Sequence, residues 1–371
     1  MSIALYYLKY GEGKSKSSKQ TEVEKEAKNL ESTFQKNVSD ELFLMIENLM
    51  KELKIPSIQV SIYTKEKGYF NCTSGYSNTE NKTKANNNNV YHLASITKIY
   101  TQAVILKLLQ DKVLNLDDSV SKYIDISPNG DKVTIKDLLF YTSGLHDPIK
   151  SVYKMLYFGK KWDYEKILSE IKRNKPYFEA GARREYSSVG HILLGIIAEN
   201  VTNKPFKILL NELFLEKYGL DSTFYPFQEE LPIGTLATGY DKDFYQLGKV
   251  NMTANVDKFP INLQTIGLSS GGMVSNAKDV AKFLFNLYET DILNNDSKRK
   301  FRLILSTKKY NEVNIRMHEG HIAGYNNFCG YSDTRKFSVS ILTNLSNVNK
   351  GNDLNKLVTE IIGILRENEI I

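Results

Sequence analysis

Seven serines in this chain precede a lysine by three residues: Ser95, Ser119, Ser151, Ser169, Ser275, Ser297 and Ser306. On a helix that spacing puts hydroxyl and amine on one face, so a weak nucleophile meets the base it needs. A lysine serves as that base once burial and a neighbouring cation lower its pKa from ~10.4 toward ~7–8. The spacing recurs too often to select a site by itself. Ser95 is set apart by its setting, YHLASITKIYTQAVILKLL at Tyr91–Leu109, in which Ala103, Val104, Ile105, Leu106, Leu108 and Leu109 leave little polar face. A helix apolar almost all round is a buried one, and it would hold Ser95 and Lys98 rigidly. Ser297 and Ser306 stand in charged stretches and Ser119 in a loop. Serine is also a preferred N-cap, so capping is the plain alternative for Ser95. The two roles are compatible, because the positive pole of a helix favours an oxyanion.

Around that pair the chain must build a scaffold, and its 371 residues, 41% of them hydrophobic, suffice for two domains or one with a large insertion. Residues 1–37 read as a polar arm. Leu42, Phe43, Ile46, Leu49 and Met50 recur at helical spacing. Ile58, Val60 and Ile62 alternate as in a half-buried strand, with Gly68–Gly75 as its hairpin partner. Residues 125–264 read mainly as helices and loops. After Gly267 come a Gly-rich turn, an amphipathic helix, and strand-like runs near Arg316–His321, Asn327–Ser332 and Phe337–Thr343. A last helix carries Leu354, Leu357, Val358, Ile361, Ile362 and Leu365 on one face. The expected fold class is α+β. Residues 38–125 and 265–371 form an antiparallel sheet flanked by helices, with a mainly helical domain, 126–264, inserted between them. A pocket is expected where the two meet.

Composition excludes several functions. The formal charge of +6, from 49 basic and 43 acidic residues, is mild and dispersed. The one basic run, Gly13–Lys19, reads as a solvated tail, so no nucleic-acid partner is expected. Two cysteines, Cys72 and Cys329, make no disulfide framework or metal spacing. No apolar run approaches the ~20 residues of a membrane span, and no standard export signal is visible, which points to the cytoplasm.

The Ser95 segment resembles the nucleophile region of serine β-lactamases and penicillin-binding proteins. It is most similar to the class C β-lactamase type with its esterase and D-amino-acid peptidase relatives. Further segments match in order from about Asp40 to Leu365. VTIKDLLFYTSGL at Val133–Leu145 is similar to I-x-x-L-L-x-H-T-S-G-L, with Tyr141 for the usual histidine. GARREYSSVGHILLG at Gly181–Gly195 resembles P-G-x-x-F-x-Y-S-N-x-G-Y-x-L-L-G. ATGY at Ala237–Tyr240, SSGGMVSNAKDVAKF at Ser269–Phe283 and ILTN at Ile341–Asn344 match later segments. HEGHIAGYNN at His318–Asn327 resembles H-x-G-x-x-x-G-[FY].

That resemblance implies roles. Ser95 is the acylated nucleophile, and Lys98 accepts or relays its proton. Tyr186 shares the base work and protonates the leaving group. His318 stands where penicillin-binding proteins carry the lysine of K-T-G. Gly320 lets the substrate backbone lie close, and the backbone N–H groups of Ser95 and His321 form an oxyanion hole. No metal or cofactor is needed, and the partner is a small-molecule or peptide substrate. Relatives are often exported. Read alone, Tyr186 is one of 23 tyrosines and His318 a surface or structural histidine; only the motifs raise them. The side chains of His191, His321, His92 and His146 are read as structural. The pair His318 and His321 lacks a third metal ligand.

Two departures bear on substrate. Ser188 replaces a frequent asparagine, and a hydroxyl cannot reproduce an amide's paired donor and acceptor. Glu319, if it faces the cleft, repels a substrate carboxylate and disfavours β-lactams. The expected activity is therefore a serine hydrolase of ester, amide or peptide bonds, of the esterase, D-amino-acid peptidase or carboxypeptidase type. A β-lactamase or acyltransferase of the same fold is the alternative, and a non-catalytic peptidoglycan- or peptide-binding relative the alternative of another class.

Overall fold

Alternation of Ile58, Val60 and Ile62 does produce a strand, and it sits near the middle of the sheet that carries the site. The computed structural model describes residues 29–127, 129–152, 162–242, 249–251, 267–346 and 352–371. In chain order the elements used below are β1 (Leu30–Ser32), α1 (Lys36–Glu52), β2 (Ser57–Thr64), β3 (Gly68–Asn78) and α2 (Thr97–Gln110). Then follow α3 (Ile135–Leu139), α4 (Tyr164–Arg173), α5 (Val189–Thr202), α6 (Leu268–Gly271), α7 (Ala277–Glu289) and α8 (Asn295–Ile304). The chain finishes with β4 (Ser306–Tyr310), β5 (Val313–Ile322), β6 (Tyr325–Ser332), β7 (Phe337–Thr343) and α9 (Asn352–Glu367).

The strands form an eight-stranded antiparallel sheet in the order β1-β3-β2-β7-β6-β5-β4, with Thr83–Lys84 added beside β3. N-terminal and C-terminal strands meet at β2 and β7, where Val60 lies opposite Ile341. One face of the sheet is covered by α1 and α9, through Leu42, Ile46, Leu357 and Ile361. The other face carries a core that runs through α2, α5 and α7. Strand β6 divides the two residue by residue: Phe328 belongs to the first core, Cys329 and Tyr331 to the second, as the period-2 pleat requires. Both cysteines are free and buried.

The sheet flanked by helices, with a mainly helical middle, agrees with the expected α+β class. Three details differ. Residues of the expected arm at 29–37 are structured: Leu30–Ser32 pairs with Phe70–Cys72, and α1 begins at Lys36. Residues 1–28, including the basic run Gly13–Lys19, lie outside the described residues. The helical core is contiguous from Tyr91 to Leu145, so packing shows no boundary at residue 125. The expected boundary at 264 falls outside the described residues. Strand β4, STKKY, was hidden in a stretch read only as charged. Its first four residues are exposed at the sheet edge, where lysines block further pairing and no apolar alternation develops.

Candidate active site

Ser95 and Lys98 stand at the head of α2. Residues Thr97–Leu106 and Leu108 of this helix are buried, as its near-absence of a polar face requires. Ser95 lies in a one-turn 3₁₀ segment, Ala94–Ile96, that feeds into it. Ile96 is the N-cap of α2, and no side chain caps the helix there. The capping role expected for Ser95 therefore does not hold. Its hydroxyl is turned instead to two catalytic candidates. Tyr186 Oη donates to Ser95 Oγ at 2.7 Å, and Lys98 Nζ approaches the same oxygen at 3.3 Å. Ala94, just before Ser95, has φ +48°. That left-handed conformation costs a non-glycine residue ~1–2 kcal/mol and fits strain stored at a functional turn.

Lys98 is 1% exposed, and among the described residues the hydrogen-bond partners of its amine are all uncharged oxygens. It lies 2.8 Å from the Ser270 carbonyl, 3.3 Å from Ser188 Oγ and 3.3 Å from Ser95 Oγ. An ammonium has three donors and fills all three positions. A neutral amine has two, which the Ser270 carbonyl and Ser188 take, leaving its lone pair to Ser95. The site thus accommodates both states that a proton relay needs. The side chain also lies 4.9 Å from the centroid of the Tyr186 ring.

Tyr186 and Ser188 reach this point on a loop laid against Tyr141–Gly144. The Glu185 N–H donates to the Tyr141 carbonyl at 2.9 Å, and the Gly181 N–H to that of Thr142 at 2.9 Å. The Tyr141 ring stacks on Tyr186 at 5.4 Å and, on its other side, on His191 at 5.0 Å. Burial holds the His191 ring neutral by pushing its pKa well below the usual histidine value, with Lys98 adding repulsion. Gln102 Nε2 lies 3.0 Å from His191 Nε2. Tyr186 itself is 48% exposed, so the site is open to solvent on this side.

Strand β5 closes the other side. His318 and Gly320 point toward the Ser95 turn, while Glu319 and His321 lie on the opposite face. A Cβ on Gly320 would sit 2.1 Å from the Leu93 carbonyl oxygen, so glycine is needed there to seat β5 against the nucleophile turn. This is a packing reason for Gly320, separate from the substrate-approach role that the family resemblance implied. Glu319 Oε2 lies 3.6 Å from His321 Nε2, and that contact leads in lowering the Glu319 pKa. Glu319 thus faces away from the cleft, paired with His321, and the repulsion of a substrate carboxylate expected of a cleft-facing Glu319 does not apply.

His318 has its pKa lowered to about 4, chiefly by burial and then by Lys98. Its Nδ1 lies 2.8 Å from the Glu319 carbonyl oxygen. A carbonyl only accepts, so Nδ1 carries the proton, and Nε2 of the neutral ring is an acceptor. The pairing of β5 with β4 ends at Met317 and Ser306, whereas its pairing with β6 runs to Ile322 and Tyr325. Among the described strands, His318–Ile322 therefore has a neighbour on one edge only. An open strand edge such as this one, beside Ser95, can receive an extended peptide backbone.

Sequence reading missed two contributors. Ser270 lies in the quoted Gly-rich segment without a role, and its carbonyl function leaves no side-chain signal. Asp147 stands two residues beyond the segment that ends at Leu145. Among the described residues no group of three His, Cys, Asp or Glu gathers as a metal site, and no helix is long and apolar enough to cross a membrane.

The profile of the family described as Beta-lactamase matches residues 44–360. Protein flp of Staphylococcus aureus is 31% identical over 184 residues, which are 48% of this chain and 36% of that protein. The match thus spans about a third of that relative's length. A Beta-lactamase of Providencia stuartii is 27% identical over 250 residues, 65% of this chain and 57% of its own. Among solved structures, a D-amino acid amidase from Ochrobactrum anthropi SV3, complexed with L-phenylalanine amide, superposes with TM-score 0.78 at 20% identity, covering 89% of this chain and 99% of that one. A penicillin binding protein from Bacillus halodurans gives 0.70 at 21% identity, covering 86% and 98%. At these identities the two structures establish a shared fold.

Proposed function

The chain belongs to the β-lactamase family, and on that premise we propose that it is a serine hydrolase working through an acyl-enzyme on Ser95. The observation that carries this reading is the convergence on Ser95 Oγ of Lys98 Nζ at 3.3 Å and Tyr186 Oη at 2.7 Å. Ser95 Oγ bonds to the acyl carbon of an ester or amide and its proton passes to Lys98. The backbone N–H groups of Ser95 and His321 hold the oxyanion. As the bond to the leaving group breaks, a proton returns to that group through Tyr186. Water then attacks the acyl-enzyme, yielding the acid and restoring the Ser95 hydroxyl. No metal or cofactor enters this scheme.

For substrate class, the neutral His318 is the guide. A lysine at this place would donate to a carboxylate, whereas His318 Nε2, without a hydrogen-bond partner among the described residues, accepts. This supports an acyl group bearing a donor, such as a free amine, over one bearing a carboxylate. Amides and esters of amino acids or short peptides fit better than β-lactams. The Ochrobactrum amidase complexed with an amino-acid amide points the same way. A small or peptide acyl donor is the expected partner. A fluorophosphonate probe tests the chemistry: the wild type labels and Ser95→Ala does not. A folded wild type that stays unlabelled ends the reading. Comparing a D-amino-acid amide, a short p-nitrophenyl ester and a cephalosporin tests the substrate class, and cephalosporin as best substrate overturns it.

A further inference from the structure

Ser188 occupies the N-cap position of α5, yet its hydroxyl makes no capping bond and its backbone is already helical, with φ −84° and ψ −35°. That hydroxyl is 3.3 Å from Lys98 Nζ. The orphan N–H groups of a helix start need an acceptor, and here it comes from 41 residues upstream. Asp147 Oδ2 accepts from the Ser188 N–H at 2.6 Å, the Ser187 hydroxyl at 3.1 Å and the Val189 N–H at 3.4 Å. Its Oδ1 accepts from the Ile149 N–H at 3.0 Å. Asp147 is 2% exposed. Among the described residues no cation pairs with it, and its charge rests on these donors and on the positive pole of α5.

We propose that Asp147 is a positioning residue for the acylation step: by capping α5 in place of Ser188, it frees the Ser188 hydroxyl for Lys98 and locks the Tyr186–Ser188 turn so that Tyr186 meets Ser95. The inference rests on the acyl-enzyme reading above. It assigns to one buried carboxylate the work of holding the Tyr186–Ser188 turn in place beside Ser95 and Lys98. A purely structural cap would lower stability and leave the chemistry of the folded enzyme unchanged.

The test compares wild type, Asp147→Ala, Asp147→Asn and Asp163→Ala. Asp163 caps α4 by accepting from the Lys166 N–H at 2.9 Å and controls for the loss of any helix cap. Fluorophosphonate labelling rate, kcat and KM for a p-nitrophenyl ester, and the thermal midpoint are measured on each. Asp147→Ala is expected to label at least thirtyfold more slowly, with kcat falling in step and KM within threefold. Asp147→Asn, which keeps one acceptor oxygen, is expected to recover part of the rate. Asp163→Ala should lower the midpoint and label at the wild-type rate. Labelling within threefold of wild type by Asp147→Ala overturns the proposal, as does the same result for Asp147→Asn if the alanine variant does not fold. Equal slowing in Asp163→Ala also overturns it. A wild type that never labels removes the acyl-enzyme reading and this proposal together.

Discussion

Ser95 and Lys98 meet within four residues at the head of a helix buried along nearly its whole length, whereas Tyr186 and Ser188 arrive on a loop held by contacts far apart in sequence. The first pair needs only helix geometry and an apolar helix face to be placed. The second needs the Tyr141 ring, the Thr142 carbonyl and the Asp147 carboxylate. A site divided this way has one rigid, local half and one half that depends on tertiary packing. The two halves should respond differently to mutation.

The largest effect is expected from the local half. Lys98→Ala should lower kcat/KM for an ester by about 10⁴-fold, since nucleophile and base act as a unit. Steady-state kinetics with circular dichroism as a folding control measures it. Next, Tyr186→Phe should cost about 10²–10³-fold, the lower part of the range of a single general acid–base group. A loss equal to that of Lys98→Ala would erase the distinction between the halves.

Acid should act on the whole fold through its buried histidines. The folded pKa of His92 is lowered to about 4 by burial, that of His318 to about 4, and that of His191 well below 6.5. Between ~6.5 and ~4 the unfolded chain therefore binds more protons at these rings, and stability falls as pH falls through that window. Asp279 opposes this. Burial raises its pKa to about 6, so the folded state binds the extra proton there and gains stability on acidification. Three rings against one carboxyl leave a net loss on the order of 4 kcal/mol from pH 7 to pH 5. Urea unfolding at both values measures it, and a rise in stability would refute the assignment. The smallest effect is expected from Tyr141→Phe, which keeps the stacked ring and removes a hydroxyl 3.4 Å from Gln102 Nε2. Activity should stay within about twofold and stability within about 1 kcal/mol, by the same kinetics and urea titration.

Legibility followed the same division. The buried helix behind Ser95, the strand at Ile58–Ile62 and the stripe of α9 could be read because each writes its burial in a short period. Tyr186 and His318 were reached through motifs that resemble a known family, since neither carries a local signal. Strand β4 escaped because an edge strand faces water and shows no alternation. The direction of Glu319 was decided by the pleat of β5, one residue either side of which His318 and Gly320 face the site.

By itself, then, the sequence determined the α+β class and the family, and it singled out Ser95 and Lys98 as the candidate nucleophile and base, because helical spacing, apolar periodicity and ordered motifs are local properties of the chain. Only the tertiary structure decided that Ser95 caps nothing, that Ser270 offers Lys98 a carbonyl, that Glu319 turns away, and that Asp147 holds the turn of Tyr186. Those outcomes depend on backbone groups and buried partners many residues apart, and no local pattern records which of them folding will bring within hydrogen-bond reach.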